Sequence, residues 1–172
     1  MTGNFLEEVV EKKLGPKNDE DAHEPFMIAD VAWEEWSKGA SLGSRYRQLG
    51  RFGGGSHVGV HLEELAPGKQ SNLRHYHMLE EEHVVMLEGE ATLLLGVKEY
   101  PLRAGSYVCF PAGQKVSHAL INRGSHPCRY LIIGEDNPNE VVVYPETDRV
   151  GVSALGEGFR LSARKDYWEG VE

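Results

Sequence analysis

Cysteine is scarce: two residues, Cys109 and Cys128, among 172. A pair cannot build the disulfide framework of a small secreted domain, so both are expected as reduced thiols in a cytoplasmic protein. Long apolar runs are also missing. No stretch approaches the roughly 18 consecutive apolar residues of a membrane span. The opening MTGNFLEEVVEKKLG has no apolar centre and carries acids early, so neither a secretory nor a transit leader is expected. The third deficit is positive charge. Lys and Arg number 18 against 27 Asp and Glu, a net charge of -9. Nonspecific nucleic-acid binding needs a basic surface to displace phosphate counterions, and docking on anionic lipid needs one as well; neither is expected here.

What is present is enough apolar material, 40% of residues, for one domain with a real core. Residues 1–22 are polar and predict a mobile tail, with one short helix over NFLEEVVEKKL, where Phe5, Leu6, Val9, Val10 and Leu14 recur near helical spacing. Residues 23–43 form an N-terminal arm carrying Trp33 and Trp36, expected to pack on the main body or on a second subunit. From 44 to 150 the pattern changes to short β-rich runs: SRYRQLG, HVGVHLEEL, EHVVML, ATLLLG, SYVCF, SHALIN, RYLIIG and EVVVYP. Turn signals such as RFGGGS, APGK, PAGQ, NRGSHP and EDNPN separate them. Regular short strands with Gly and Pro turns and no intervening helical pattern predict an all-β sandwich or barrel. VVMLEGEATLLL reads as a hairpin around Gly89. Residues 151–172, with Tyr167 and Trp168, are expected to pack outside the barrel or on a partner subunit, and aromatics at both ends suit a homodimer.

One stretch concentrates metal-ligand chemistry: HYHMLEEEH, from His75 to His83. His75 and His77 are two apart. On a helix they would diverge; on a strand they share a face and can reach one ion. A carboxylate entering the next strand can approach from beside them, and a histidine from a distant strand would complete the set. Mixed nitrogen and oxygen ligands suit a divalent first-row metal such as Fe, Mn, Ni, Co or Zn. Parity leaves the carboxylate open. On one uninterrupted strand His75, His77, Glu81 and His83 would share a face; a turn at MLE would instead bring Glu82 inward.

At these residues the chain resembles the cupins, small jelly-roll β-barrels also described as double-stranded β-helices. The first cupin motif is matched by Gly68, six residues, His75-Tyr76-His77, four residues, Glu82, six residues and Gly89. The second is matched by Gly105, five residues, Pro111-Ala112-Gly113, four residues, His118, three residues and Asn122. One residue is added before the His pair and two before His118, both in loops, where insertions are tolerated. The finer likeness is to small single-domain bacterial cupins ending in YLIIGE, VVVYP and a late DYW, some of which carry the provisional label of sugar-phosphate isomerase. The resemblance implies one divalent ion per barrel held by His75, His77, Glu82 and His118. It also requires the turn at MLE, selecting Glu82 over Glu81 and leaving His83 on the surface.

The function expected from this is a metalloenzyme acting on a small polar or anionic molecule by isomerisation, decarboxylation, lyase or dioxygenase chemistry, among which the fold does not choose. Tyr46, His61 and Tyr107 are the candidates for a catalytic group beyond the ligands. Depending on strand parity, either Tyr46 or the pair Arg45 and Arg47 faces the interior; inward arginines would indicate an anionic substrate. Two other readings stand beside the enzyme. One is a small-molecule binding or sensing barrel that acts through a partner protein; the other is a metal-free structural role.

Overall fold

The computed structural model describes residues 14–170. The helix expected over NFLEEVVEKKL lies, except for Leu14, outside the described residues. Residues 16–24 form a turn in which the Asn18 side chain accepts the N–H groups of Glu20 and Ala22. Gly15 N–H donates to the Phe52 carbonyl.

The architecture is all-β, as expected. One sheet has six antiparallel strands in the spatial order β1 (Glu34–Lys38), β2 (Leu42–Gln48), β3 (Val58–Leu65), β10 (Cys128–Glu135), β5 (Glu82–Glu88) and β8 (Tyr107–Phe110). Opposing strands fall into two groups. The first orders β7 (Lys98–Arg103), β6 (Glu90–Leu95) and β9 (His118–Ile121); the second orders β13 (Glu157–Phe159), β12 (Arg149–Val152), β11 (Val141–Tyr144) and β4 (Tyr76–His77). A bridge between His75 and His118 joins the two groups, each residue donating its N–H to the other's carbonyl at 3.1 and 2.8 Å. One helical turn, α1 (Leu49–Phe52), links β2 to β3. No helix is long and apolar enough to cross a membrane among the described residues.

Alternation along the strands sets the interior. On β5, Glu82, Val84 and Met86 point inward; on β10, Cys128, Tyr130 and Ile132 do. Leu65, Val84, Met86, Leu93, Phe110, Cys128 and Tyr130 form the centre of the apolar core. Each large apolar side chain so buried contributes roughly 1.5–3 kcal/mol. Asn122, fully buried, donates to the Leu65 and His126 carbonyls and accepts the Gly124 N–H, which closes the loop between β9 and β10. Both cysteines are free thiols, Cys128 in the core and Cys109 on β8.

The hairpin expected around Gly89 does not form. β5 pairs with β10 and β8, whereas β6 pairs with β7 and β9. Gly89 is a corner where the chain leaves one sheet for the other. Its φ of +71° is left-handed, and a Cβ there would lie 3.0 Å from both the Cys128 Cβ and the Pro127 carbonyl oxygen. Adjacency of two apolar runs around a glycine therefore marked a change of sheet, a distinction that local pattern does not carry.

The two tryptophans of the arm pack on their own chain. The guanidinium groups of Arg45 and Arg47 both lie over the Trp33 ring, 4.6 and 4.5 Å from its centroid. Trp36 donates through Nε1 to the Ser44 hydroxyl at 3.2 Å. At the other end, β12 and β13 extend the second sheet, and beyond them Tyr167 and Trp168 stack edge-to-face on each other while remaining exposed.

Candidate metal centre

A buried carboxylate shapes the start of the site. Glu140, 2% exposed, accepts the backbone N–H groups of Met78 at 2.7 Å, Leu79 at 3.1 Å and Glu80 at 2.7 Å. These three residues are the MLE turn. The turn separates β4 from β5 and resets parity, so Glu82 enters β5 pointing inward, opposite Gly134 on one side and Phe110 on the other. Gly113 of the Pro-Ala-Gly turn donates its N–H to the His77 carbonyl at 2.9 Å, tying the two halves of the site together. The two extra residues before His118 are taken up in the loop that follows this turn, where the Ser117 hydroxyl donates to Glu146 at 2.6 Å. His118 then begins β9 in register with His75.

The result is a convergence of four side chains. Ligand atoms of His75, His77, Glu82 and His118 all lie within 4.8 Å of one another. Glu82 Oε1 is 3.5 Å from His118 Nε2, and Glu82 Oε2 is 3.8 Å from His77 Nε2. Phe110 stacks flat on His118, with ring centroids 3.7 Å apart, and holds that imidazole in one plane. His75 Nδ1 lies 2.7 Å from the Leu73 carbonyl. It must carry the proton to donate there, which leaves Nε2 as the lone-pair nitrogen.

These residues fit a divalent ion on the chemistry of their ring nitrogens. Both nitrogens of His77 and of His118 are buried and without a hydrogen-bond partner. Buried imidazoles ordinarily satisfy both nitrogens; here the Nε2 atoms of His77 and His118 flank Glu82, and coordination would satisfy one nitrogen of each ring. Behind His77, Glu80 lies 3.4 Å and Glu140 3.8 Å from Nδ1, the placement of carboxylates that orient a ligating imidazole.

The electrostatics separate the groups. Burial, then His118 and His77, push the His75 imidazole down to about 4. Burial also opposes charge on His77, but Glu80, Glu82 and Glu140 outweigh it and raise that imidazole. For Glu82 burial favours the protonated form, yet His118, His75 and His77 hold its carboxyl below the usual range. Glu63, unremarked in the sequence, goes the other way. Burial pushes it up to about 7, against hydrogen bonding from Ser44 and Tyr130, with the field of Glu82 adding to the rise.

Glu63 sits where two cavities meet. An inner one of about 170 Å³ is lined by His75, Glu82, Phe110 and His118, with Glu63 and Trp36. An outer one of about 550 Å³ shares Glu63 and Trp36 and adds Tyr46, Gln48, Arg51 and His61. Of the catalytic candidates, Tyr46 and His61 therefore line the outer cavity, stacked on each other at 5.6 Å. Tyr46 donates to Glu34 at 3.3 Å, and burial lowers the His61 imidazole. Tyr107 is elsewhere: it is 61% exposed on the outer face of β8, bonded to His83 Nδ1 at 2.8 Å, and takes no part in the cavity. Arg45 and Arg47 also point outward. Arg45 pairs with Glu64, and Arg47 donates to the carbonyls of Ile28 and Val31. Inward arginines are thus not available to bind an anion. Glu81 and His83 form a separate outer group with Cys109, facing away from the four converging side chains. A signal for Glu63 was available: it follows His61 by two on one strand and so shares its face.

Four outcomes follow for variants. His75→Ala or His77→Ala is expected to abolish metal uptake while circular dichroism stays that of the folded barrel, and Glu82→Gln is expected to weaken uptake far more than Glu81→Gln; elemental analysis of purified protein decides both. Glu140→Gln removes a charged acceptor from the MLE turn. It should lower unfolding free energy by roughly 2–3 kcal/mol and metal affinity by about 10- to 100-fold, and an unchanged metal Kd would free the turn of any part in aiming the ligands. Glu63 predicts a pH effect of definite sign. A carboxyl raised to about 7 in the fold favours folding fully below its ordinary value near 4.5, and that stabilisation is lost as pH rises through 7. Glu63→Gln should therefore be more stable than wild type at pH 8 by ~3 kcal/mol at most and equal to it near pH 4, as read from urea unfolding.

Residues 61–134 match the Cupin domain family. No curated protein matches the chain. Solved structures do. A protein provisionally assigned as a sugar phosphate isomerase, from Acidithiobacillus ferrooxidans, is 28% identical with a TM-score of 0.74, over 81% of this chain and 91% of that one. A cupin-superfamily sugar phosphate isomerase from Silicibacter pomeroyi is 29% identical with a TM-score of 0.75, over 87% of this chain and all of that one. A predicted oxalate decarboxylase from Thermotoga maritima, 21% identical with a TM-score of 0.56 over 65% of this chain and 98% of that one, shares the fold alone. With both motifs on the strands of such a barrel and the match running through its centre, residues 61–134 of this chain are a cupin domain.

Proposed function

We propose that this chain is a divalent-metal-dependent enzyme that isomerises a small hydroxy-carbonyl compound. One observation carries the reading. His75, His77, Glu82 and His118 converge, with the ring nitrogens of His77 and His118 unpartnered, beside an inner cavity that shares Glu63 and Trp36 with a polar chamber of about 550 Å³. These four residues would hold the ion, and an ion so held supplies Lewis acidity at an oxygen of the bound molecule.

The rest is done by the chain's own side chains. A molecule with several hydroxyl groups finds donors and acceptors on the wall of the outer chamber in Gln48, Arg51, Ser56 and His61. Trp36 and Phe110 supply apolar walls in the inner cavity and exclude water from one side of the reacting centre. Isomerisation is preferred within the fold's repertoire because it needs acid–base groups and no co-reactant. Two solved structures that align over 81% and 87% of this chain are also described as sugar phosphate isomerases, the first provisionally. Their phosphorylated substrates enter as a class to test, since among the described residues Arg51 is the single basic side chain lining the outer chamber apart from His61.

The test is a panel of aldoses, ketoses and their phosphates, followed by NMR with metal-loaded wild type, chelated wild type and His77→Ala. Interconversion is expected in the first alone. A fully loaded protein that converts no member overturns the isomerase reading, and wild type that takes up no divalent metal overturns the metalloenzyme reading with it.

A further inference from the structure

Glu63 has no role in holding the four converging side chains, yet it is placed where chemistry beside them would occur. It lines both cavities, which among the described residues only Trp36 also does. Its strand register sets it between two tyrosines: opposite Tyr46 of β2 on one side and Tyr130 of β10 on the other. The Tyr130 hydroxyl, on a fully buried ring, donates to Glu63 Oε2 at 3.3 Å. Ser44, also buried, stands beside the carboxyl from β2 and is itself fixed by the Trp36 indole. A carboxyl inside a β-barrel with two hydroxyl neighbours and an open side toward a cavity is costly as a purely structural element. Other buried carboxylates of this fold are spent on structure. Glu140 caps backbone N–H groups, and Glu64 pairs with Arg45 and Arg129. Among the described residues no cation pairs with Glu63.

We propose that Glu63, held by Tyr130 and Ser44 at the junction of the two cavities, is the proton-transfer group of this site, acting on hydroxy-carbonyl substrates. This rests on the isomerase reading above. In the step, the carboxylate takes the proton from the carbon that bears the hydroxyl. That C–H bond breaks, and its electron pair passes through the adjacent carbonyl to the carbonyl oxygen. Glu63 returns the proton to the former carbonyl carbon, while the hydroxyl proton moves to the former carbonyl oxygen and the other oxygen becomes the new carbonyl. Hydrogens and electrons balance with no oxidant or co-reactant. His61 is a poorer choice because it lines the outer chamber only, and Tyr46 is engaged with Glu34. Tyr130 and Ser44 are positioning residues: they aim the carboxyl without facing the substrate.

The experiment has a readout that needs no turnover. Difference infrared spectra of metal-loaded wild type and Glu63→Gln, from pH 5 to 9, isolate the carboxyl C=O band of Glu63. The band is expected to disappear as pH rises through about 7. It is also expected to shift when acetohydroxamate, a small hydroxy-carbonyl mimic, is added. A band absent at every pH, or one that does not move with the probe bound, overturns the inference. In the second arm, dihydroxyacetone is incubated in heavy water and its C–H exchange is followed by NMR. Wild-type exchange should fall about 10²- to 10⁴-fold in Glu63→Gln at unchanged metal content, and equal exchange in the variant overturns the inference. If metal-loaded wild type exchanges nothing while the band behaves as expected, the isomerase reading is what fails, and the placement of Glu63 as the group facing the metal-side ligand is upheld by the first arm.

Discussion

The site depends on one buried charge. Glu140 lies far along the chain from HYHMLEEEH, yet its carboxylate gathers the N–H groups of Met78, Leu79 and Glu80 and so bends the backbone between the histidine pair and the next strand. Without that bend the strand would run on with a period of two, and Glu81 and His83 would share the face of His75 and His77. With it, Glu82 faces the histidines, while Glu81 and His83 meet Cys109 on the outside. A carboxylate fully removed from water is tolerable because three backbone donors replace its hydration. The same carboxylate stands behind His77, so the group that bends the chain also lies against one of the converging imidazoles.

Around this turn the barrel supplies the remaining constraints. The paired N–H and C=O groups of His75 and His118 close the seam between the two groups of opposing strands. Two of the four side chains are thus fixed by the hydrogen bonds that complete the second wall of the barrel. The Gly89 corner sends β6 to that wall directly after β5, which places β9 across from β5 and His118 across from Glu82. Rigid elements, not loops, therefore carry His118 and Glu82, and Phe110 locks the imidazole by stacking.

The interior sorts its ionisable groups into opposite states. Glu82, surrounded by imidazoles, is held charged; Glu63, removed from water with no cation beside it among the described residues, is held toward its neutral form. Two carboxylates whose environments push them apart are suited to different tasks, one to hold a cation and one to move a proton. Burial alone does not make the difference, since both lie inside. The neighbours do: three histidines overcome burial at Glu82, whereas at Glu63 the hydrogen bonds of Ser44 and Tyr130 do not, and the field of Glu82 adds to the rise.

Much of this was legible in the chain itself. Eight strand runs and the all-β class follow from period-two patterning and turn residues, and the spacing of His75, His77, Glu82, His118 and Asn122 carries the cupin resemblance. Short or weakly patterned strands were not legible: Tyr76–His77 is too brief to show a period, and Lys98–Arg103 is mostly exposed. The hairpin expected at Gly89 shows the same limit, because strand partners are chosen across the barrel and not by adjacency. The inward turn of Tyr46, the outward turn of its flanking arginines and the exposure of Tyr107 were likewise parity questions with two answers each. By itself the sequence determined which residue types recur at which spacing, and hence the strands and the four side chains able to hold an ion. Tertiary structure alone decided which carboxylate faces them and that Glu63 stands beside them, because side-chain direction depends on turns and burial that are fixed by partners distant in the chain.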